Sequence, residues 1–363
     1  MPVRMVSLEF GKWKTLVVDA GYDKCTVPIY YSSARGETIP LLKTLLSNRC
    51  RFNCRYCGLK TRKPSEWVKW PVDKLARVTW TLWIKGKVKG LFLSSSVDGE
   101  SDEVVMEEIE VARLLREMGY TGYIHLRLMP GTSRDLIREA VKVADRVGVN
   151  LEAPSSEVLG DIAPSKNWEK DLFSCLKAIV EEARKAYTER EKPYGYSRAG
   201  VDTQFVLHPV CYTTDFDYIK LTWKLYRELG LRRVYYSGFT PIKGTPLQEN
   251  PACPGWRVKR IYQVSFLIRD YGFSLDEVKL ILDSNGNLPD EDPKVCFARK
   301  SNIFPVDLNN ASLSELLKVP GIGPRTALRI VKLRESKGKL EIDDLRRLIG
   351  RKRTRKISRY VVF

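Results

Sequence analysis

The sequence holds no uncharged apolar stretch long enough to span a bilayer. Its first eleven residues, Met1 to Gly11, contain no signal-peptide core. The expectation is therefore a cytoplasmic protein with no membrane partner. Acidic residues are in deficit, with 44 Asp and Glu against 62 Lys and Arg, which leaves a net charge of +18. That excess favours a polyanionic partner, most simply nucleic acid, over a basic surface that is merely solvated. Eight cysteines without a secretory signal point to a reducing compartment rather than to a disulfide framework. Cys25, Cys175, Cys211, Cys253 and Cys296 stand singly and read as small core residues. With 43% hydrophobic and 29% charged residues, 363 positions suit one large folded domain plus a small one.

The other three cysteines are concentrated. Leu45 to Gly58 contains Cys50, Cys54 and Cys57 in Cys-x3-Cys-x2-Cys spacing, with the aromatic Tyr56 directly before the last. The loop follows an apolar run that reads as a strand. Clustered thiolates on a short loop bind soft metal, and iron–sulfur clusters take cysteine thiolates. Three local ligands leave one corner of a four-iron cluster without a protein partner. A zinc site normally takes four protein ligands, and a fourth such as Cys25 is available but distant in sequence.

The segment Cys50-Arg-Phe-Asn-Cys54-Arg-Tyr56-Cys57 resembles the cluster loop of the radical S-adenosylmethionine (AdoMet) enzymes. The resemblance implies a [4Fe–4S] cluster held by Cys50, Cys54 and Cys57, with AdoMet chelated to the remaining iron. It implies reductive cleavage of AdoMet, a 5′-deoxyadenosyl radical, and a low-potential electron donor such as ferredoxin or flavodoxin. It also places Tyr56 near the adenine.

From Ile39 onward, short apolar strands alternate with amphipathic helices. Strands are expected at Pro40–Leu46, Gly90–Ser94, Tyr123–Leu128, Arg146–Leu151, Gln204–Pro209 and Arg233–Ser237. Helices are expected at Val72–Lys87, Glu103–Met118, Arg134–Ala144, Trp168–Thr188, Asp215–Leu229 and Val258–Tyr271. Six strands with helical crossovers make a parallel α/β sheet, whose function collects at the C-terminal strand ends. The cysteine loop lies at such an end. The pattern agrees with the partial (β/α)6 barrel that the resemblance implies. Residues 1–37 read as an N-terminal extension with a short strand at Leu16–Val18, and 38–282 as the barrel. Residues 283–304 read as a turn-rich acidic linker. A calcium loop there is rejected, because Gly286 and Lys294 fall at the wrong positions.

AdoMet-contact candidates lie at the strand ends. Ser94, Ser95 and Ser96 stand where many radical AdoMet enzymes carry a Gly-Gly-Glu-like motif; they offer hydroxyls but no carboxylate, which Asp98 or Glu100 could supply. Asn150 and Glu152 share one face at the end of the fourth strand. His125 and Arg127 share a face of the third strand, and His208 closes the fifth; each reads equally as a functional group or a satisfied core polar group. The pairs Tyr30-Tyr31 and Tyr235-Tyr236 read as core or rim.

The tail carries a second motif. Val306 to Val331 includes Ser312-Leu-Ser-Glu315 and Val319-Pro-Gly321-Ile-Gly323-Pro324-Arg325-Thr326, and it resembles a helix-hairpin-helix unit. Ser312 with Glu315 forms a capping box, Gly321 and Gly323 permit a tight turn and close backbone approach, and Pro324 suits a first helical position. Outward backbone N–H groups would then bind phosphate, with Gly321, Gly323, Arg325, Thr326 and Arg329 as the candidate contacts. Leu345 to Gly350 looks like a degenerate second copy lacking its second glycine, surrounded by Arg351, Lys352, Arg353, Arg355, Lys356 and Arg359. A protein–protein adaptor is the alternative use.

Both motifs in this order resemble the predicted DNA modification or repair radical AdoMet proteins that end in a helix-hairpin-helix. The expected architecture is a partial (β/α)6 barrel with a small C-terminal all-α helix-hairpin-helix domain at 305–363. The expected activity is radical AdoMet chemistry on nucleic acid, with duplex DNA favoured. An RNA-modifying enzyme of the same chemistry and a non-catalytic iron–sulfur nucleic-acid sensor are the rivals.

Overall fold

A computed structural model describes residues 29–34, 37–188, 194–207 and 212–363. The expected strand at Leu16–Val18, and the residues Cys25, His208 and Cys211, lie outside the described residues. The chain forms two compact units, residues 1–211 with 229–253, and residues 212–228 with 254–363.

The first unit is a curled seven-stranded half-barrel whose strands run across the sheet in chain order. The strands are β1 (Ile29–Ala34), β2 (Glu37–Leu45), β3 (Gly90–Ser94), β4 (Tyr123–Arg127), β5 (Arg146–Gly148), β6 (Val201–Leu207) and β7 (Arg233–Gly238). Strands β2 to β7 are parallel, as their near-continuous apolar runs require. Strand β1 pairs antiparallel with β2 and is a seventh strand that periodicity did not show. The expected fourth strand is shorter than its apolar pattern, because Asn150 to Glu152 leave the ladder and touch β6 through a bridge from Glu152 to Phe205 and a hydrogen bond from the Leu151 N–H to Thr203 Oγ1 at 3.1 Å.

Helices α1 (Val72–Ile84), α2 (Ser101–Glu117), α3 (Arg134–Val143), α4 (Ser156–Ile162) and α5 (Ser174–Thr188) supply the crossovers of this unit. Their buried faces follow the helical apolar spacing, as with Val104, Ile109, Ala112 and Leu115 of α2. The helix expected from Trp168 begins instead with a π-helical turn, Trp168–Phe173, started by the Asn167 side chain, which accepts from the Lys170 N–H.

The second unit contains α6 (Asp215–Arg227), α7 (Gly255–Tyr271), α8 (Leu275–Lys279) and α9 (Pro293–Lys300). The stretch read as a linker therefore carries a helix, α9, whose N-cap Asp292 accepts from the Lys294 N–H. Next come α10 (Leu313–Lys318), α11 (Pro324–Lys337), α12 (Ile342–Ile349) and α13 (Arg351–Ile357), closed by the two-residue parallel strands β8 (Val306–Asp307) and β9 (Val361–Val362). Leu308, Leu316, Val319, Ile322, Ala327, Ile330, Leu345 and Ile357 form the apolar core of these last helices. The Ser312/Glu315 capping box and Pro324 at the first helical position are both present.

Candidate functional site

The cysteine loop begins where β2 ends. It is fixed by backbone hydrogen bonds from Arg51 N–H to Val97 O (2.8 Å) and from Arg55 N–H to Ile162 O (2.7 Å). Asn53 and Ser165 bind reciprocally, backbone N–H to side-chain oxygen in each direction, at 3.1 and 3.2 Å. The cysteine loop follows β2, Val97 follows β3, and Ile162 and Ser165 lie at and just beyond the end of α4 in the connection after β5. All three thiols are free of disulfides, with Cys54 buried and Cys50 and Cys57 half-buried. Burial raises the Cys54 pKa and pushes Cys57 up to about 12. Among the described residues, no three His, Cys, Asp or Glu side chains are gathered as a site for a single metal ion. A cluster attaches each thiolate to a different iron, so its ligands need not converge on one point.

Two of the serines brace this loop. Ser96 Oγ donates to the carbonyls of Ser47 and Arg49, and Ser95 Oγ accepts from the Ser47 N–H at 3.2 Å. Their hydroxyls are thereby engaged in shaping the approach to Cys50. Ser94 stays half-buried at the end of β3. The two nearby carboxylates are also engaged, Asp98 with Arg49 (3.3 Å) and Glu100 with Arg51 (2.6 Å).

Asn150 and Glu152 do come together, with Asn150 Nδ2 donating to Glu152 Oε1 at 3.4 Å. Glu152 is buried and holds a left-handed φ of 62°, a sparsely populated conformation for a side-chain-bearing residue. Its carboxylate meets Lys166 Nζ at 3.3 Å. The Lys166 ammonium also lies near Cys54 and lowers its thiol pKa, against the larger raising effect of burial. Burial alone would lower the Lys166 pKa, yet Cys54 and Glu152 beside it raise it, so the ammonium is retained. Asn150 Oδ1 is buried and has no hydrogen-bond partner among the described residues. Three thiols, one ammonium beside them, one carboxylate and one open amide oxygen form a donor set suited to a cluster and a zwitterionic ligand. Tyr56 is buried on the same loop. The chain alone did not reveal Lys166, because its place depends on a loop more than a hundred residues beyond the cysteines.

Deeper in the sheet, His125 and Arg127 are buried core groups that share Asp202, although Arg127 Nε has no hydrogen-bond partner among the described residues. Asp202 of β6 stands 3.1 Å from His125 Nε2 and 3.0 Å from Arg127 Nη1. Gly148 of β5 lies between them, and a Cβ there would fall 1.9 Å from Asp202 Oδ1. Burial lowers the His125 pKa to about 4, against the opposing pull of Asp202. Burial would raise the Asp202 carboxyl, but Arg127 and His125 bring it below the usual range. Arg127 already supplies the counter-charge, so the imidazole serves as a neutral donor.

In the second unit, the hairpin between α10 and α11 presents its backbone. Gly321 has φ 87°, and a Cβ there would meet Ile357 at 3.2 Å, so the turn itself requires glycine. Gly323 differs, with φ −105° and ψ 175°, open to any residue, and its hypothetical Cβ meets nothing closer than Tyr271 OH at 3.5 Å. The first intrahelical bond of α11 runs from Ala327 N–H to Gly323 O, so the Arg325 and Thr326 amides have no partner in the helix ladder. Arg325 and Arg329 are exposed, whereas the Thr326 side chain is buried and only its amide is available. Gly350, at φ 82°, joins α12 to α13 with a single-residue turn.

The half-barrel with its three-cysteine loop defines a radical AdoMet enzyme, with a [4Fe–4S] cluster and S-adenosylmethionine as cofactors, joined to a helix-hairpin-helix unit. Residues 44–190 match the sequence profile of the Radical SAM superfamily, and residues 301–348 that of the helix-hairpin-helix motif. A comparison with curated protein sequences gives no match. Among solved structures, HydG, a maturase of the [FeFe]-hydrogenase, superposes with a TM-score of 0.47 at 10% identity, covering 87% of this chain and 79% of that one. The HydG of Carboxydothermus hydrogenoformans gives 0.45 at 14% identity, covering 62% of this chain and 50% of that one. Methylornithine synthase (PylB) gives 0.46 at 13% identity, covering 62% of this chain and 61% of that one. At this level of superposition the three add nothing to the two profile matches. Among the described residues, no helix is long and apolar enough to cross a membrane.

Proposed function

We propose that this enzyme modifies or repairs nucleic acid, with duplex DNA as the favoured substrate, and that the hairpin holds the phosphate backbone. The observation that carries this reading is Gly323. The fold does not require glycine there, and a half-buried position without a side chain, with the exposed Arg325 and Arg329 close by in the chain, suits close approach of a phosphate to backbone amides. The net charge of +18 acts in the same direction.

On the barrel, Cys50, Cys54 and Cys57 would hold the cluster. Ser95 and Ser96 shape the loop, Lys166 orients Glu152, and Glu152, Asn150, Ser94 and Tyr56 face AdoMet. When bound, cluster and AdoMet supply one-electron reductive cleavage and hydrogen abstraction, fed by a low-potential donor of the ferredoxin or flavodoxin type. The chain's part is to bind, orient and exclude water. A single hairpin gives nonspecific affinity of about 10⁻⁴–10⁻⁶ M at physiological salt, enough to tether a substrate but not to select a sequence.

The test is anaerobic reduction with AdoMet and either duplex DNA or tRNA, followed by 5′-deoxyadenosine assay and nucleoside mass spectrometry. An altered nucleoside from the DNA arm is expected, with binding that falls steeply with salt. Gly323→Val should lower duplex binding at least about tenfold with an unchanged melting curve. Alteration confined to the tRNA arm would move the substrate to RNA, and unaltered nucleosides in both arms would refute the proposal.

A further inference from the structure

Lys294, in the first turn of α9, is a buried cation in no ion pair among the described residues. Its Nζ donates to Ile322 O at 2.6 Å and to Val319 O at 3.3 Å, and lies 4.3 Å from the centroid of the Tyr271 ring. Two carbonyls and one aromatic face account for the three N–H groups of an ammonium. On the other side of the same hairpin, Arg353 Nη2 donates to Gly321 O at 3.1 Å. Three hairpin carbonyls thus have cationic partners.

The consequence follows from peptide geometry. In a planar trans peptide the N–H points opposite to the C=O. The Ile322 carbonyl points inward at Lys294, so the Gly323 N–H of the same peptide points away from it, and that N–H has no partner among the described residues. We infer that Lys294 is a positioning residue for phosphate, its buried ammonium polarising the Ile322–Gly323 peptide so that the Gly323 N–H meets a phosphodiester oxygen outside. This inference rests on the nucleic-acid reading and deepens it. A buried cation without an anion is costly in isolation. A backbone phosphate on the far side of the peptide supplies the missing negative charge when substrate binds.

The charged and titratable groups around Lys294 are Asp292 at the N-cap of α9, Tyr271 at the end of α7, Arg353 on α13, and the Glu277–Lys318 pair joining α8 to α10. None is a histidine, and the chain's two histidines lie outside residues 212–363. Burial lowers the Lys294 pKa to about 7, against a smaller raising effect of Asp292. The side chain is therefore cationic at pH 6 and neutral at pH 9, and phosphate binding that uses its charge weakens as pH rises.

The experiment measures binding of the cluster-loaded full chain to a fluorescent DNA duplex by anisotropy at pH 6, 7, 8 and 9, at constant ionic strength. Wild type, Lys294→Arg and Lys294→Met are compared, with thermal melts of each. The expected result is an affinity that falls about three- to tenfold from pH 6 to pH 9 in wild type. Lys294→Met should bind at the weak level throughout, and Lys294→Arg should bind strongly without the pH step. A folded Lys294→Met that binds like wild type overturns the inference. So does a wild-type affinity that is level from pH 6 to pH 9, a result that stands even if the methionine variant fails to fold. A wild type that binds no nucleic acid at any pH defeats the parent reading as well, and is told apart by its silence.

Discussion

The buried His125–Asp202–Arg127 group makes a prediction with a definite sign. His125 is 3% exposed, with Phe92 edge-on to its ring at 4.4 Å, and burial lowers its pKa from 6.5 to about 4. Between those values the unfolded chain takes up a proton that the folded chain refuses. Stability from this residue is therefore complete above pH 6.5 and is lost as pH falls toward 4. The slope is about 1.4 kcal/mol per pH unit, or about 3 kcal/mol across the window. Glu108 complicates the raw profile. Its carboxyl is buried without a hydrogen-bond partner among the described residues, burial holds it well above the usual range, and its contribution declines as pH rises. The informative quantity is thus the difference between wild type and His125→Gln, measured by urea unfolding of cluster-free protein at pH 7.5, 6 and 5. Wild type should lose stability faster than the variant on acidification. Histidine-selective NMR adds a direct check, because the chain has only two imidazoles and one should stay unprotonated down to pH 5. If wild type instead gains on the variant as pH falls, His125 is an imidazolium paired to Asp202, and the reasoning from burial fails.

Two further outcomes follow from the barrel. Gly148→Ala forces a Cβ to within 1.9 Å of Asp202 Oδ1 and 2.4 Å of Asp202 O, which breaks a buried ion pair at a cost of about 3–5 kcal/mol. A melting temperature lower by roughly 10 °C, or insoluble protein, is expected in a thermal scan, and an unchanged melt would contradict the register of β4, β5 and β6. Glu152→Ala should weaken AdoMet binding about ten- to a hundredfold in calorimetry on the cluster-loaded protein, as loss of a charge-assisted contact does; wild-type affinity would mean that the carboxylate serves Lys166 alone.

What the sequence made legible was local or periodic. Cys50, Cys54 and Cys57 stand together on one loop, and the Ser312 to Thr326 segment contains its own cap, turn and helix start. The β3 and β4 runs are buried strands of a parallel sheet and read as such. Partners brought from far along the chain were not legible. Lys166 reaches Cys54 through the loop after α4, Asp202 answers β4 from β6, and Lys294 enters the hairpin from a stretch whose turn residues resemble a linker. The serine run was placed correctly at the end of β3, but its sequence could not show that Ser95 and Ser96 bind back to Ser47 and Arg49. Strand β1 escaped because a short antiparallel edge pairs through its backbone and needs no apolar pattern.

The bracing of the cysteine loop has a consequence for how metal enters. In small zinc domains the metal organises the chain, and a chelator unfolds them. Here Arg51, Asn53 and Arg55 are tied to Val97, Ser165 and Ile162 by bonds that involve no thiol. The conformational entropy of the loop is therefore surrendered during folding of the barrel, before any iron arrives. Loading becomes a matter of exchanging protons for iron at sulfur on a preformed scaffold. Stripping the cluster should return the thiols to solvent chemistry while leaving the loop's backbone amides as slow to exchange with deuterium as before.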